Sequence, residues 1–332
     1  MTTPVAWRSI NRISELGKST STLATIIILV VSAFGQSNQR PRIDRDEAAR
    51  RTMTTVWQPR VTRDVEYARV GNVSLRLDLY VPGTKGPHAL FVWIHGGAFL
   101  GGDKANIFWT PVSSLAQRGY AVASINYRLS GQATFPALVQ DAKAAIRWLR
   151  ANAIRYEIKA DRIVVGGESA GGYLSAMLGT TGGISALEDL TLGNPGQSSR
   201  VQGVVDFFGP TDFLQMDAGV PRSCRQPMVH NAPQSPESRL LGCNIGDCPD
   251  KVKTANPITY VTRDDPPFLI LHGMGDCLVA PNQSRLLHEA LRAAGVRSAL
   301  HLLPDLAHAD KRFISPENER FVDDFLKAVL KR

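Results

Sequence analysis

Short apolar runs, separated by loops and by helical periods, recur along the chain from residue 65 onward. Continuous runs of this kind are typical of strands buried on both faces of a parallel sheet. An earlier stretch, residues 64–81, alternates apolar and polar positions around the turn residues Gly71 and Asn72, and it predicts an antiparallel hairpin. The continuous strands are expected at 89–94, 121–125, 163–165, 201–208 and 268–271.

Helical periods lie between and after these strands. Apolar residues recur every three or four positions in residues 136–154, 284–294 and 313–330, which is the spacing of an amphipathic helix. Strands that alternate with helices predict a mostly parallel sheet with helices on both faces. The expected fold class is therefore α/β.

One segment, residues 211–265, interrupts this alternation. It is rich in Pro, Ser and Asn, and it carries three of the four cysteines. At more than fifty residues it is too long for a plain connection in a compact domain. We therefore expect a small cap-like insertion over the edge of the sheet.

The N-terminus differs in composition from the rest of the chain. Residues 1–20 carry three basic residues against one acid, and about thirteen uncharged residues follow at 23–35. This order is typical of a secretory signal, and the apolar stretch is short for a membrane span. We expect a signal peptide at 1–35, an N-terminal arm at 36–60 and a folded domain at 61–332. The protein is then secreted or periplasmic with no membrane span after cleavage; an uncleaved anchor stays an alternative.

The overall charge gives no sign of a nucleic-acid partner. The chain has 332 residues and a formal net charge of +8 at pH 7. Lys and Arg are spread along it without a run of five or more, which indicates a solvated surface and not a basic arm.

A strand, a glycine-flanked serine and a helix follow one another at Gly167-Glu168-Ser169-Ala170-Gly171. A weakly nucleophilic hydroxyl must stand clear of the sheet to reach a carbonyl carbon, and a sharp turn from strand to helix achieves this. The turn crowds the positions two before and two after the serine, where glycine has no side chain. The pattern predicts a nucleophile elbow with Ser169 as the nucleophile.

A second glycine-rich turn lies upstream, where a strand ends in His95-Gly96-Gly97. Acyl transfer passes through an oxyanion that needs preorganised N–H donors, and glycines let the backbone approach a substrate closely. We assign the backbone N–H groups of Gly96, Gly97 and Ala170 to the oxyanion hole. His95 is expected to pin this loop by hydrogen bonding and not to act in catalysis.

The acid and the base are expected downstream of the serine, in the order Ser, Asp, His. His308 lies in a short polar loop before the last predicted helix, where a general base can reach Ser169. Asp276 follows the strand at 268–271, at the end of the strand where α/β sheets bind ligands. We assign Asp276 to orient His308. No cofactor and no metal are expected.

Other titratable residues compete for these roles. Asp305 and Asp310 are rival acids, but they are so close in sequence to His308 that we expect them to shape its loop. His272 directly ends a predicted strand and is expected to close an edge of the sheet.

The four cysteines allow three pairings, and an even number in an exported chain indicates disulfides. Cys243 and Cys248 flank a turn and form the natural local pair, which leaves Cys224 for Cys277. A Cys224–Cys277 bond would tie the cap-like insertion to the loop that carries Asp276. The spacing is not that of a zinc site.

Several spaced motifs resemble those of exported bacterial α/β-hydrolases, in particular hormone-sensitive-lipase-like esterases and bifunctional feruloyl/acetylxylan esterases. Ala98 stands where many hormone-sensitive-lipase relatives have a third glycine, which favours the feruloyl/acetylxylan branch. The motifs are HGGAF at 95–99, NYRLS at 126–130, FPALVQDAKAAIRWL at 135–149, GESAGG at 167–172 and HGMGD at 272–276.

The resemblance implies an α/β-hydrolase fold with an eight-stranded, mostly parallel sheet, and ester hydrolysis without a cofactor. It also implies the triad Ser169, Asp276 and His308. The expected substrates are carboxylic esters, with short-chain acyl or acetyl/feruloyl groups on carbohydrate. Two alternatives stay open: a peptidase or amidase of the prolyl-oligopeptidase type, and a non-catalytic hydrolase-fold binding protein.

Overall fold

The computed structural model describes residues 59–107 and 110–330. The expected signal peptide at 1–35, and the expected arm up to residue 58, lie outside these residues. Within the described ranges, no helix is long and apolar enough to cross a membrane.

Eight strands form one sheet in the described part of the chain. They are β1 (Arg60–Val70), β2 (Val73–Val81), β3 (His88–Ile94), β4 (Ala121–Ile125), β5 (Ile158–Glu168), β6 (Gly203–Phe207), β7 (Phe268–Gly273) and β8 (Ser298–Leu303). Their order in the sheet is β1-β2-β4-β3-β5-β6-β7-β8. The pairs β1/β2 and β2/β4 are antiparallel, whereas the other neighbouring pairs are parallel.

Helices cover both faces of this sheet. They are α1 (Val112–Gln117), α2 (Ala137–Ala151), α3 (Ala170–Thr180), α4 (Pro236–Leu241), α5 (Pro249–Ala255), α6 (Asn282–Ala293) and α7 (Pro316–Leu330). Apolar residues of α2, α3 and α6 belong to one buried cluster, and those of α1 and α7 belong to a second.

The central strand β3 shows why both faces are apolar. Leu90, Val92 and Ile94 belong to the first cluster, whereas Phe91 and Trp93 belong to the second. Successive side chains of a strand point to opposite faces, so a strand buried on both sides needs an unbroken apolar run. The expected class, a mostly parallel eight-stranded α/β sheet flanked by helices, is confirmed.

The limits of some strands differ from the prediction. Strand β5 begins at residue 158, five residues earlier than expected, because Ile158 pairs with His88 at the start of β3. Lys159 and Asp161 interrupt the apolar run there, so hydrophobicity alone does not mark this part of the strand. The first hairpin strand likewise begins at Arg60, within the expected arm.

The segment 211–265 contains the short helices α4 and α5 together with 3-10 turns. Its side chains Phe213, Leu241 and Val252 are buried in the first apolar cluster. The segment is therefore anchored to the rest of the domain by its own apolar residues. Its description as a cap stays a prediction.

Candidate active site

Ser169 lies at the turn between β5 and α3, with φ 52° and ψ −117°. A positive φ is uncommon for a residue with a side chain, and it persists only where the surroundings hold the backbone in place. Here the N–H of Ser169 donates to the carbonyl of Phe207 at 2.9 Å, and its own carbonyl accepts from the N–H of Tyr173 at 3.0 Å. Strand β6 and the first turn of α3 thus hold the serine in this conformation.

The two glycines that flank Ser169 are required by close packing. A Cβ atom on Gly171 would lie 2.0 Å from the carbonyl oxygen of Ile94, and one on Gly167 would lie 2.4 Å from the same atom. Any larger residue at either position would push the turn away from the end of β3. The spacing expected for a nucleophile elbow therefore has a direct steric cause in this fold.

Asp276 and His308 are joined by a hydrogen bond of 2.7 Å between Oδ2 and Nδ1. The other carboxylate oxygen, Oδ1, accepts from the backbone N–H groups of Leu278 at 2.8 Å and Val279 at 2.9 Å. Burial opposes ionisation of this carboxyl, but hydrogen bonds from His272 and His308 outweigh it and hold the pKa of Asp276 well below its ordinary value. Asp276 is therefore a carboxylate oriented towards His308.

The prediction that His272 closes an edge of the sheet is wrong. Its strand β7 lies between β6 and β8, and the side chain is fully buried. The imidazole Nε2 lies 3.4 Å from Oδ2 of Asp276, so this carboxylate has histidines on two sides. The error arose because β8, whose Leu302 pairs with His272, comes about thirty residues later in the chain, and the local sequence does not show this pairing.

The rival acids have other partners. Asp310 pairs with Arg312 at 2.6 Å, and the hydrogen bonds from Arg312 lower the pKa of Asp310 to about 2. The carbonyl of Asp305 accepts from the same guanidinium at 2.8 Å. Both residues shape the loop that carries His308, as expected.

The glycine-rich loop after β3 lies against the elbow. Gly96, Gly97 and Ala170 line the same cavity as Ser169. The Glu168 side chain lies close to Gly96, and burial raises the pKa of Glu168.

Ala98 also lines this cavity and was not singled out from the sequence. Its φ of 55° lies in the left-handed region that glycine favours. This explains why many relatives have a third glycine at the same position, and that difference was the signal that could have pointed to Ala98.

His95 pins the glycine-rich loop, as expected. Its Nδ1 lies 2.7 Å from the carbonyl oxygen of Gly96, and its ring stacks on Tyr127 with a centroid distance of 4.5 Å. The Tyr127 hydroxyl donates to the His95 carbonyl at 2.9 Å. Burial lowers the pKa of His95, so the imidazole is neutral at pH 7 and serves as a structural support.

The cavity above Ser169 has a volume of about 270 Å³, and His308 lies on its wall. Most of its lining is apolar, including Phe208, Met228 and Leu278. A buried pair from the segment 211–265, His230 and Glu237, adds a polar patch.

The His230 imidazole is held between two acceptors. Its Nδ1 lies 2.9 Å from Oε2 of Glu237, and its Nε2 lies 2.8 Å from the carbonyl oxygen of Leu278. Burial opposes protonation, but the hydrogen bond and charge of Glu237 outweigh it and raise the pKa of His230. Both ring nitrogens face acceptors, which favours the protonated form of His230 in the polar patch.

A second cavity of about 140 Å³ lies beside the first and shares Glu168, Phe208 and Ala309 with it. Its other walls include the aromatic side chains of Trp93 and Phe313. The indole N–H of Trp93 is buried and has no hydrogen-bond partner among the described residues. A donor left unpaired in this way is uncommon in a native structure.

Two disulfides join the cysteines in the expected pairs, Cys224 with Cys277 and Cys243 with Cys248. The first connects the segment 211–265 to the residue after Asp276. In the described residues, no group of three or more His, Cys, Asp or Glu side chains is arranged to hold a metal ion.

Replacing both Cys224 and Cys277 with serine is expected to lower the free energy of unfolding by about 4 kcal/mol, because the bond closes a long loop. The matched control replaces Cys243 and Cys248, which lie 5 residues apart in sequence, against 53 for the first pair. The control should lose only about 2 kcal/mol on the same chain-entropy relation. Urea unfolding of the three proteins measures both losses, and an equal loss in the two variants would contradict the expectation.

Comparison with known proteins identifies the family. The BD-FAE family profile matches residues 77–291. The esterase LipC of Mycobacterium tuberculosis is 33% identical over 67% of this chain and 53% of its own length. The esterase LipQ of the same organism is 30% identical over 84% of this chain and 68% of its own length. The chain thus spans from about half to two thirds of the length of these relatives.

A solved structure with similar architecture is a truncated carbohydrate esterase from gut microbiota, with a TM-score of 0.74 and 31% identity over 83% of this chain and 98% of that one. The bifunctional GH43-CE protein of Bacteroides eggerthii has a TM-score of 0.71 and 35% identity over 80% of this chain and 38% of its own. These findings confirm the resemblance inferred from the motifs. The chain belongs to the BD-FAE family of hormone-sensitive-lipase-like esterases, on the α/β-hydrolase fold.

Proposed function

We propose that this protein is a serine esterase that hydrolyses carboxylic esters through an acyl-enzyme. Ser169 is the nucleophile, His308 the general base and Asp276 the residue that orients the base. The observation that carries this proposal is the 2.7 Å bond between Asp276 and His308 at the wall of the cavity that Ser169 lines. The naming of the relatives as esterases supports an ester as the substrate.

The first chemical step follows from the tautomer of His308. Because Nδ1 faces the Asp276 carboxylate, it carries the proton, and Nε2 has a lone pair available. As Ser169 Oγ attacks the ester carbonyl carbon, Nε2 takes the hydroxyl proton. Asp276 stabilises the resulting imidazolium and stays ionised throughout.

The second step releases the alcohol and the acid in turn. His308 Nε2 donates its proton to the leaving alkoxide, and the acyl group stays on Ser169. Water then attacks the acyl-enzyme while His308 accepts one of its protons, and return of that proton to Ser169 Oγ frees the carboxylic acid.

The oxyanion that forms in both steps lies next to the glycine-rich loop. We assign its stabilisation to the backbone N–H groups of Gly97 and Ala170, and we add that of Ala98. Gly96 lines the same cavity, and we assign its N–H to the oxyanion as well. Donors fixed in place before the reaction lower the barrier because no reorganisation is needed when charge develops.

For the substrate, we propose short-chain acyl, acetyl or feruloyl groups on carbohydrate. An apolar cavity of about 150 Å³ holds one benzene-sized ring, and the second cavity has a similar volume of about 140 Å³ and aromatic walls. The polar patch of His230 and Glu237 is suited to an alcohol that carries hydroxyl groups. The carbohydrate esterase among the structural neighbours supports the same class.

We propose an exported location, with residues 1–35 as the signal peptide. Both disulfides among the described cysteines support this, because disulfides persist in oxidising compartments and are rare in the cytosol.

The experiment is a substrate panel with a variant that fills the second cavity, Ile314→Trp. Methyl ferulate should lose about tenfold or more in kcat/KM, since the ring no longer fits, whereas p-nitrophenyl acetate should change by less than about threefold. Ile154→Trp is the matched control, because Ile154 is 96% exposed and lines neither of the two cavities. Equal losses on both esters would contradict the assignment of the second cavity. Turnover of a matched anilide without ester turnover would instead support the peptidase alternative.

A further inference from the structure

His272 is a buried histidine close to the proposed triad that the catalytic cycle does not use. Its side chain is fully buried in β7, and each ring nitrogen has a polar neighbour. Nδ1 lies 2.6 Å from the Ser284 hydroxyl oxygen. Nε2 lies 2.9 Å from the carbonyl oxygen of Val279 and 3.4 Å from Oδ2 of Asp276.

These neighbours determine where the proton of His272 lies. A carbonyl oxygen and a carboxylate only accept hydrogen bonds, so Nε2 carries the proton. Nδ1 then has a lone pair, and the Ser284 hydroxyl donates to it. The Ser284 hydroxyl therefore holds the orientation of the ring whose N–H faces Val279 and Asp276.

The Asp276 carboxylate is surrounded by donors as a result. Its Oδ1 accepts two backbone N–H groups, and its Oδ2 accepts Nδ1–H of His308 at 2.7 Å and lies 3.4 Å from Nε2 of His272. The short bond is the one to the proposed base. The longer contact is the one to His272. It can restrict rotation of the carboxylate without competing for the bond to His308.

We propose that His272 is a positioning residue: its Nε2–H, oriented by Ser284, holds the Asp276 carboxylate in the orientation that His308 requires. This inference rests on the proposed triad and extends it by two residues, His272 and Ser284. It assigns to His272 no contact with substrate.

The same contact influences the charge of the site. When Nε2–H is removed, Oδ2 is stabilised by one donor fewer and becomes a stronger base, which favours the protonated form of His308. The acid limb of the kcat/KM profile should then move to higher pH. The other titratable groups near these histidines are Glu168, which interacts with His308, and Asp206, whose pKa burial raises to about 6 and which interacts with His272.

The experiment compares His272→Leu with His272→Gln and Ser284→Ala. The leucine variant has no N–H, so kcat should fall about tenfold or more with little change in KM, and the acid limb should move to higher pH. The glutamine Nε2 occupies nearly the position of the histidine Nε2 and should restore most of kcat and of the pH profile. Ser284→Ala removes the hydrogen bond that holds the His272 ring, and its kcat should fall between those of the wild type and His272→Leu.

The outcomes separate this inference from the proposed function. A wild-type protein without esterase activity, or full activity of Asp276→Asn, would overturn both. One pattern would overturn the role of His272 alone. The wild type would be active and Asp276→Asn inactive, while His272→Leu would keep the wild-type kcat and pH profile. If His272→Leu does not fold, as judged by circular dichroism, the Gln and Ser284→Ala variants decide, and a wild-type profile in Ser284→Ala overturns the inference.

Discussion

Replacing Ser169 with alanine is expected to lower kcat for p-nitrophenyl acetate by about 10⁴ to 10⁶. Oγ is the atom that forms the acyl-enzyme, and alanine offers no nucleophile. The residual rate comes from the oxyanion donors and from substrate binding alone. The fold should be retained, because both residues carry a Cβ and meet the same backbone strain at φ 52°.

The control for this variant is Ser198→Ala, which removes the hydroxyl of an exposed serine and should leave kcat unchanged. A fluorophosphonate probe adds a second readout, since it should label the wild type and the control but not Ser169→Ala. Retention of labelling at a serine other than 169, together with more than about a tenth of the wild-type activity, would show that another residue is the nucleophile.

Replacing Asp276 with asparagine is expected to lower kcat by about 10³ to 10⁴. The backbone N–H groups of Leu278 and Val279 require an acceptor, so the amide oxygen should take the place of Oδ1. The amide NH₂ then faces His308, which must offer a lone pair at Nδ1. The imidazole proton moves to Nε2, the nitrogen that has to accept the proton of Ser169.

Asp161→Asn is the matched control, because the Asp161 side chain is 81% exposed and lines neither of the two cavities. Its activity should stay within about threefold of the wild type. Unfolding measurements separate catalysis from stability. The low pKa of Asp276 contributes stability that is present above the unfolded-state pKa and is lost as the pH falls through the lower folded-state pKa. Loss of activity in Asp310→Asn with activity retained in Asp276→Asn would reverse the assignment of the acid.

The strands, the elbow and the residues proposed for the triad are accessible to sequence analysis because their causes are local. An apolar run such as 89–94 belongs to a strand buried on both faces, as β3 shows. A Cβ atom on Gly167 would lie 2.6 Å from the carbonyl of Gly171, four residues further on, and this local steric constraint contributes to the spacing of the pentapeptide. The order of acid and base follows from the chain connectivity of the fold.

The errors and omissions lie where one element meets another. His272 was expected at an edge, but its partners Val279 and Ser284 come from the loop after β7 and from α6. The start of β5 depends on its pairing with His88, about seventy residues earlier in the chain.

The sequence by itself determined the fold class, the nucleophile elbow and the proposed catalytic residue types, since these depend on steric and hydrophobic constraints between near neighbours in the chain. Only the tertiary structure decided the contact of His272 with Asp276, the two cavities near Ser169 and the place of His230 and Glu237 in the cavity wall. Those features depend on the register of strands and on the packing of helices against them. Such contacts join residues far apart in sequence, and no local period records them.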